Sequence, residues 1–409
     1  MSLKPILSAL LHNKAGAILI SLQIALTLAI ICNALFIIHQ RLSYIDRPSG
    51  LDESELFTFI NVWVGRPADQ NLADLLLRDL QTLRSTPGVV DAFFSNSYPL
   101  RGGGWSTGLQ RQLGDKQPRA HAALYMVDEH ALATYGAQLV AGRNFTAADV
   151  NEYGSQETME PKVVMLTRAI ADKLFPDGDA LGNTLYLSDK VSPSTVVGIV
   201  ERLQTPWVGG AWADGFYENT ILVPYRSIAE PGGYLIVRAE PGRRDEAMKA
   251  VEQRLLASDR MRVISRMRSY EEVRANAYRR DRGMAILMSV ICGVLLLVTA
   301  AGIVGLANFW VGQRHRQIGI RRALGARRRD ILCYFQIENL MISLVGVVIG
   351  IAAAILLNLW LVTHYEMARL SLLYILVAAV LVLALGQLAV LQPARRASRV
   401  PPMVATREA

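Results

Sequence analysis

Three sets of residues in this sequence are of types that chemistry uses. Six histidines stand at positions 12, 39, 121, 130, 315 and 364, and three cysteines at 32, 292 and 333. Seven arginines crowd into 312–330, five of them in the stretch IGIRRALGARRRDIL, Ile318 to Leu332. Histidine and cysteine can ligate a metal or serve as base and nucleophile, but no His-Glu-x-x-His occurs and no cysteine has a Cys-x-x-Cys partner. A phosphate loop, G-x-x-x-x-G-K-[S/T], cradles nucleotide phosphates with backbone amides and a lysine. The dipeptide Gly-Lys is absent from the chain. A nucleophile elbow is not expected either. The triple Gly102 to Gly104 has no helix start behind it to hold a phosphate and reads as a flexible hairpin tip. No catalytic residue, metal site or cofactor is therefore assigned to this chain. The arginines remain, and their use depends on where the surrounding elements put them.

Four apolar runs are long enough to cross a hydrocarbon core of roughly 30 Å: residues 15–38, 284–311, 331–362 and 370–391. The first has no small-residue cleavage pattern at its end, so it reads as an uncleaved anchor. Net charge is +8, but its distribution is uneven. The 245 residues of segment 39–283 hold 29 Lys/Arg against 31 Asp/Glu, net −2. The basic excess flanks the apolar runs, before the first, between the second and third, and after the fourth. By the positive-inside rule both termini and segment 312–330 are cytoplasmic, and 39–283 lies outside. That rules out reading the basicity as a nucleic-acid surface.

The outer segment lacks cysteine, so no disulfide framework holds it. LFTFINVWV (Leu56 to Val64) reads as a strand, Asn71 to Leu83 as an amphipathic helix, and the stretch after Ser85 as turn and strand. The same order recurs in GYLIVRAE, a helix with Ala247, Val251 and Leu255 at helical spacing, and MRVISRM. Two β-α-β units, 50–97 and 229–268, thus bracket a β-rich lobe at 98–228. Residues 269–283 read as a polar stalk helix that runs without a break into the second span, and 363–369 as a short outer loop. Residues 1–14 read as a helix in the cytoplasmic interface or as an ordinary positive flank, and 392–409 as a cytoplasmic tail.

Within the spans, small residues recur every fourth position: Ala17, Ser21, Ala25 and Ala29 in the first, and Gly346, Gly350 and Ala354 in the third. Such stripes let helix backbones approach closely in lipid. Glu338, the carboxylate inside the third span, reads as the partner of an arginine from the preceding segment, or else as part of a proton path. Seven arginines in hydrocarbon would cost on the order of 20 kcal/mol, so 312–330 must lie outside it. Written as one helix, Ile320, Ala323, Leu324 and Arg327 share a face with Arg321 and Arg322 beside it, and Gly325 permits close approach or ends a turn. Such a helix anchors to anionic headgroups, or it sits in a groove of a partner.

IGIRRALGARRRDIL, followed by a span with Glu338, Gly346 and Gly350, resembles the signature of the FtsX-like, MacB-type permeases, the mechanotransmission ABC transporters. The closing QPARRASRVPPMVATRE and the outer stretches VAGRNFTAADV, LTRAIADKLFPDGDALGNTLYL and VVGIVE extend the resemblance over nearly the whole chain. It implies an α-helical membrane protein with four transmembrane helices and a large α+β periplasmic domain, in which a β-α-β porter-like lobe carries an inserted β-rich lobe. The implied place is the bacterial inner membrane. The implied partners are cytoplasmic ATPase subunits that bind ATP and Mg, a second permease copy or paralogue, membrane lipid, and a periplasmic adaptor with an outer-membrane duct. Carried over from the family's coupling helix, Ile320, Arg321, Arg322, Leu324, Gly325 and Arg327 are the ATPase contacts. The chain begins a few residues before its first span, where the family's exporter has a fused ATPase, so a separate motor is expected. Export from the periplasmic side is the leading expectation. The rivals are a non-transporting regulator of a periplasmic or cell-wall partner and a lipoprotein-extracting permease.

Overall fold

A computed structural model describes residues 14–65, 69–113, 118–154, 158–187, 192–209, 211–228, 232–365 and 370–399. Two compact units are present: Asp46–Arg280, and Met1–Ile45 together with Asp281–Ala409. In chain order, α1 (Lys14–Ile45) leads to β1 (Leu56–Trp63), α2 (Asp69–Arg84), β2 (Val89–Ser95), β3 (Trp105–Gln110), β4 (Ala120–Val127), α3 (Ala131–Tyr135), β5 (Leu139–Gly142), β6 (Asn151–Tyr153) and β7 (Val163–Thr167). Next come α4 (Arg168–Leu174), β8 (Thr184–Leu187), β9 (Ser194–Val200), α5 (Ala211–Asp214), β10 (Thr220–Ser227), β11 (Gly232–Ala239), α6 (Arg244–Ser258), β12 (Arg262–Ser269) and α7 (Tyr270–Ala277). The chain ends with α8 (Arg279–Gln313), α9 (His315–Ala323), α10 (Arg328–Tyr365) and α11 (Leu372–Ser398).

The sheet-rich unit contains two lobes. In the first, the antiparallel order β12-β1-β11-β2 is that of a split βαβ fold, with the two β-α-β units interleaved. Alternation along β1 sends Phe57, Phe59 and Trp63 to the side where Leu72, Leu76, Leu80 and Leu83 of α2 and Ala247, Val251 and Leu255 of α6 bury them. A buried charge fixes this layer. Asp79 on α2 accepts from Arg262 Nη1 (2.7 Å), Asn61 Nδ2 (3.1 Å) and Trp63 Nε1 (3.2 Å), so α2 is tied to β1 and β12 at once.

The inserted lobe closes on itself. Its strand order β4-β3-β8-β9-β7-β10 returns to β4 through a parallel β10–β4 pairing, leaving β5 and β6 as additions on β9 and β10. Closure removes the exposed strand edges that invite aggregation. Leu124, Met126, Val164, Leu166, Val196, Ile221 and Val223 fill the interior, and α4 adds Ile170 and Leu174. Outside it, Asp149 accepts from Arg143 Nη1 (2.7 Å) and from the Thr146 backbone and hydroxyl (2.8 Å each). The hydrogen bond from Arg143 is the largest cause that holds the Asp149 carboxyl well below the usual carboxylate range.

Among the described residues, four helices are long and apolar enough to span a membrane, α1, α8, α10 and α11, and they belong to the helical unit. Each differs from its apolar run at the ends, chiefly by longer polar turns, because backbone i to i−4 bonding continues where hydrophobicity stops. The stalk expectation needs a correction. A turn at Tyr278 (φ −95°, ψ 10°) separates α7 from α8. Tyr278 is 2% exposed, and its hydroxyl accepts from Gln204 Nε2 at 2.8 Å. The ring's place in the core of the sheet-rich unit sets the backbone there, and local sequence carried no breaker to signal it. Capping Ser269 starts α7 with a capping box to Glu272. The expected interfacial helix at 1–14 lies outside the described residues except Lys14, as do 366–369 and 400–409.

Candidate functional site

The arginine-rich segment forms a short helix held between two long ones. Arg314 stands between α8 and α9, and its guanidinium nitrogen Nη1 donates to both oxygens of Glu338 on α10 (2.9 and 2.8 Å). Glu338 is 2% exposed, so the ion pair is buried and the carboxylate has a cation beside it. Ile318 and Gly319 turn the inner side of α9 toward a layer that includes Trp310, Ile331 and Phe335. The outer side is secured by longer side chains. The Arg321 guanidinium lies 5.0 Å from the centre of the Tyr334 ring, and Arg322 Nη1 donates to the Ser398 carbonyl at the end of α11 (2.9 Å). Thus α9 is fastened to both α10 and α11.

The end of α9 is set by Gly325. Its N–H bonds the Arg322 carbonyl (3.2 Å), the Ala326 N–H bonds that of Arg321 (3.1 Å), and its φ is +96°. This is a Schellman cap, which needs a left-handed residue just past the helix. Asp330 Oδ2 then accepts from the Arg327 backbone (2.9 Å) and opens α10. The single helical face expected over Ile320, Ala323, Leu324 and Arg327 is therefore corrected: the helix stops after Ala323, and Arg327 belongs to the start of the next one. Nothing lies within 4 Å of a Cβ placed on Gly325, so left-handed backbone, and not close approach within the chain, explains the glycine. The consequence is exposure. Leu324 is 83% exposed, the most of any large apolar side chain among the described residues, and Ile320 beside it is 46% exposed.

The two small-residue stripes face each other. A Cβ on Gly346 would stand 2.8 Å from the Ser21 carbonyl oxygen, and one on Gly350 would stand 2.9 Å from that of Ala25. Ala25, Ala29 and Ala354 are buried, Ala17 packs at the edge of the same core, and Ser21 Oγ donates to the Ile342 carbonyl (3.2 Å). So α1 and α10 meet nearly backbone to backbone. Sequence reading passed over the polar residues that join the other helices. Thr27 and Thr299 share a hydrogen bond (2.8 Å), Gln23 Nε2 donates to the Val298 carbonyl (3.1 Å), and Asn339 Nδ2 donates to that of Gly386 (3.1 Å). Their signal was available, since polar side chains inside an apolar run must find partners across helices.

Two motif readings also change. Gly104-Trp105-Ser106-Thr107-Gly108 does spell G-x-S-x-G, but Ser106 lies within β3 opposite Ala123 and not at a strand-to-helix turn. Among the described residues it has no hydrogen bond to a histidine or carboxylate. The glycine triple is not a free tip. A Cβ on Gly104 would meet Pro206 Cγ at 2.7 Å, and the Gly102 N–H bonds the Pro206 carbonyl at 2.7 Å. No group of three or more metal-ligating side chains occurs among the described residues.

Comparison with known proteins agrees with this architecture. Residues 289–402 match the FtsX-like permease C-terminal domain. A pyoverdine export ATP-binding/permease protein, PvdT of Pseudomonas fluorescens, is 28% identical over 65% of this chain and 40% of its own length. An uncharacterized ABC transporter permease, YvrN of Bacillus subtilis, is 25% identical over 70% of each chain. A macrolide export ATP-binding/permease protein, MacB of Neisseria gonorrhoeae, is 27% identical over 58% of this chain and 36% of its own length. The chain thus covers well under half the length of the two ATP-binding/permease relatives. The periplasmic region of MacB from Actinobacillus actinomycetemcomitans aligns with 57% of this chain and 97% of its own at 16% identity and a TM-score of 0.36. Residues 25–254, more than half of the chain, match the MacB-like periplasmic core domain, and the chain therefore belongs to the family of FtsX-like permeases with a MacB-like extracytoplasmic domain.

Proposed function

We propose that the chain is the permease subunit of an ABC exporter and that residues 314–327 are the cytoplasmic seat of a separate ATPase subunit, which binds the ATP and Mg. One observation carries this reading: the most exposed large apolar side chain among the described residues, Leu324, sits at the tip of a short helix that is itself braced from beneath. A lipid anchor needs spread charge. A docking contact needs a central apolar knob on a stiff mount, because binding energy concentrates at buried anchors and rim charges add less. Here the knob is Leu324 with Ile320, and the mount is Arg314–Glu338, Arg321–Tyr334 and Arg322–Ser398.

In this reading, closure of the ATPase displaces α9, and the bracing contacts pass that displacement to α10 and α11 instead of letting a loop absorb it. Helix α8 continues across the single turn at Tyr278 into the extracytoplasmic domain, whose movement expels a substrate from the periplasmic side. The names of the pyoverdine and macrolide relatives support export as the class of activity. The arginine distribution supports cytoplasmic termini, and the family resemblance supports a second permease copy.

The test is Leu324→Asp in the purified permease with the ATPase subunit that accompanies it. With 83% exposure the side chain supports little of the chain's own stability, so the stability of the permease should change by no more than about 0.5 kcal/mol. Loss of a central anchor costs about 2–4 kcal/mol, so affinity for the ATPase should fall roughly 30- to 1,000-fold and the change in ATP turnover on assembly should vanish. Arg329→Gln should do much less. If Leu324→Asp retains its partner and full coupling, the docking reading fails and lipid anchoring replaces it.

A further inference from the structure

Leu100 (φ 67°) and Arg266 (φ 53°) are the non-glycine residues with positive φ among the described residues; Leu100 lines a cavity, and so does Arg268, two residues after Arg266. Arg266 belongs to a bulge. Ile60 pairs with Ser265 and Thr58 with Arg268, so two residues of β12 oppose Phe59. Bulges re-aim side chains. This one keeps Met267 packed toward the helices and leaves Arg268 on the sheet's other face. Leu100 is 2% exposed and its N–H bonds the Thr205 carbonyl (3.3 Å), which fixes the loop that carries Arg101. Left-handed backbone at bulky residues persists only where the surroundings enforce it, and it gathers at ligand sites.

The cavity measures about 220 Å³ and is lined by Tyr98, Leu100, Arg101, Arg268, Val273 and Asn276 among others, with no carboxylate in its wall. Arg101 Nη1 donates to the Gly103 carbonyl (2.7 Å), and its guanidinium lies 4.2 Å from the centre of the Tyr234 ring. The Tyr98 and Tyr234 rings meet edge to face at 5.4 Å. Among the described residues the side chains of Arg266 and Arg268 make neither a hydrogen bond nor an ion pair, although segment 39–283 as a whole is net negative. Burial pushes the Tyr98 phenol up, Tyr234 adds to this, and Arg101, Arg268 and Arg266 pull it back, so three guanidiniums act on one hydroxyl.

We propose that this cavity binds a small planar carboxylate, held by Arg268 and Arg101 with its flat apolar body against Tyr98, Leu100 and Val273. Guanidinium forks suit carboxylate and phosphate alike. The wall is mixed, and more polar than apolar; its apolar side, made by Tyr98, Leu100, Val208 and Val273, favours an acid with a ring over an inorganic dianion, and the volume, below that of pockets for drug-sized ligands, favours a small one. The site is independent of the ATPase seat, since all its residues lie in the sheet-rich unit.

Benzoate is the probe, titrated by saturation-transfer NMR against the full chain in nanodiscs of zwitterionic lipid, with empty nanodiscs subtracted. Benzamide, its neutral isostere, and inorganic phosphate run in parallel. Benzoate should bind, and benzamide and phosphate should bind at least tenfold more weakly. Arg268→Gln should weaken benzoate at least tenfold without changing the melting temperature, because Arg268 is exposed and unpartnered; Arg260→Gln, exposed elsewhere in the same unit, should leave binding unchanged. Val273→Trp, which fills the cavity, should abolish binding. Absence of benzoate binding, equal binding of benzamide or phosphate, or unchanged binding in Arg268→Gln would each overturn the assignment.

Discussion

The contact between α1 and α10 is sensitive to a single methyl group, and the double variant Gly346→Ala/Gly350→Ala measures it. Each new Cβ would stand 2.8 to 2.9 Å from a backbone carbonyl oxygen of α1, with Ile24 and Leu28 equally close. A carbonyl cannot rotate aside. To reach ordinary contact the helices must part by roughly 0.6 Å, and a gap of that order forfeits about a quarter of each dispersion well along the interface. Overpacking of this kind costs about 1–3 kcal/mol per site. Against it stands a gain of up to about 1 kcal/mol per Gly→Ala in a helix, which would hide part of the loss. A second double variant removes that ambiguity. Gly293 and Gly305 on α8 meet nothing within 4 Å, so Gly293→Ala/Gly305→Ala has the propensity gain without the clash. The two doubles should therefore differ by about 2–4 kcal/mol, the four-residue spacing making the two clashes less than additive. For a unit of this size that is a difference of about 4–16 °C in melting temperature, measured by circular dichroism in one detergent. If the Gly346/Gly350 pair melts with or above the Gly293/Gly305 pair, the close approach is wrong.

Two further expectations concern charge. Arg314→Leu leaves Glu338 buried without its cation and should cost about 3–5 kcal/mol, while Arg314→Leu/Glu338→Leu should recover most of it; equal melting of the single and the double would show that the two do not act as a pair. Asp149, held below its unfolded range by Arg143 and Thr146, contributes stability that is present above the unfolded value of about 3.9 and lost as pH falls below it. Asp149→Asn should thus lower the melting temperature of the sheet-rich unit at pH 7, with the gap to the unchanged protein starting to narrow below about pH 5 and still narrowing down to about pH 2, because the folded-state value lies well below the unfolded one. A gap that stays constant over that range would remove the carboxylate from the account.

Much of this protein is decided by one-dimensional physics. Hydrocarbon cannot satisfy polar groups, so length and apolarity suffice to locate four spans, and arginine cost alone keeps 312–330 out of lipid. Period-two and helical spacing placed the two β-α-β units, because Phe57, Phe59 and Leu235 must share a side with Leu76 and Val251. A glycine every fourth residue announced a close helix contact without naming its partner. Only the tertiary structure decided that Gly346 and Gly350 of α10 meet Ser21 and Ala25 of α1, since stripe and partner are more than 300 residues apart. It also decided the break at Tyr278, where a ring buried against Gln204 overrides a locally unbroken helical pattern, and the end of α9, where one left-handed glycine turns Leu324 outward. The barrel's closure through β10 and β4, the bulge that aims Arg268, and the buried Asp79–Arg262 pair left no mark on any local window. Periodicity reports which side of an element is apolar. Which other element meets that side depends on packing between distant segments, and that the chain resolves only when it folds.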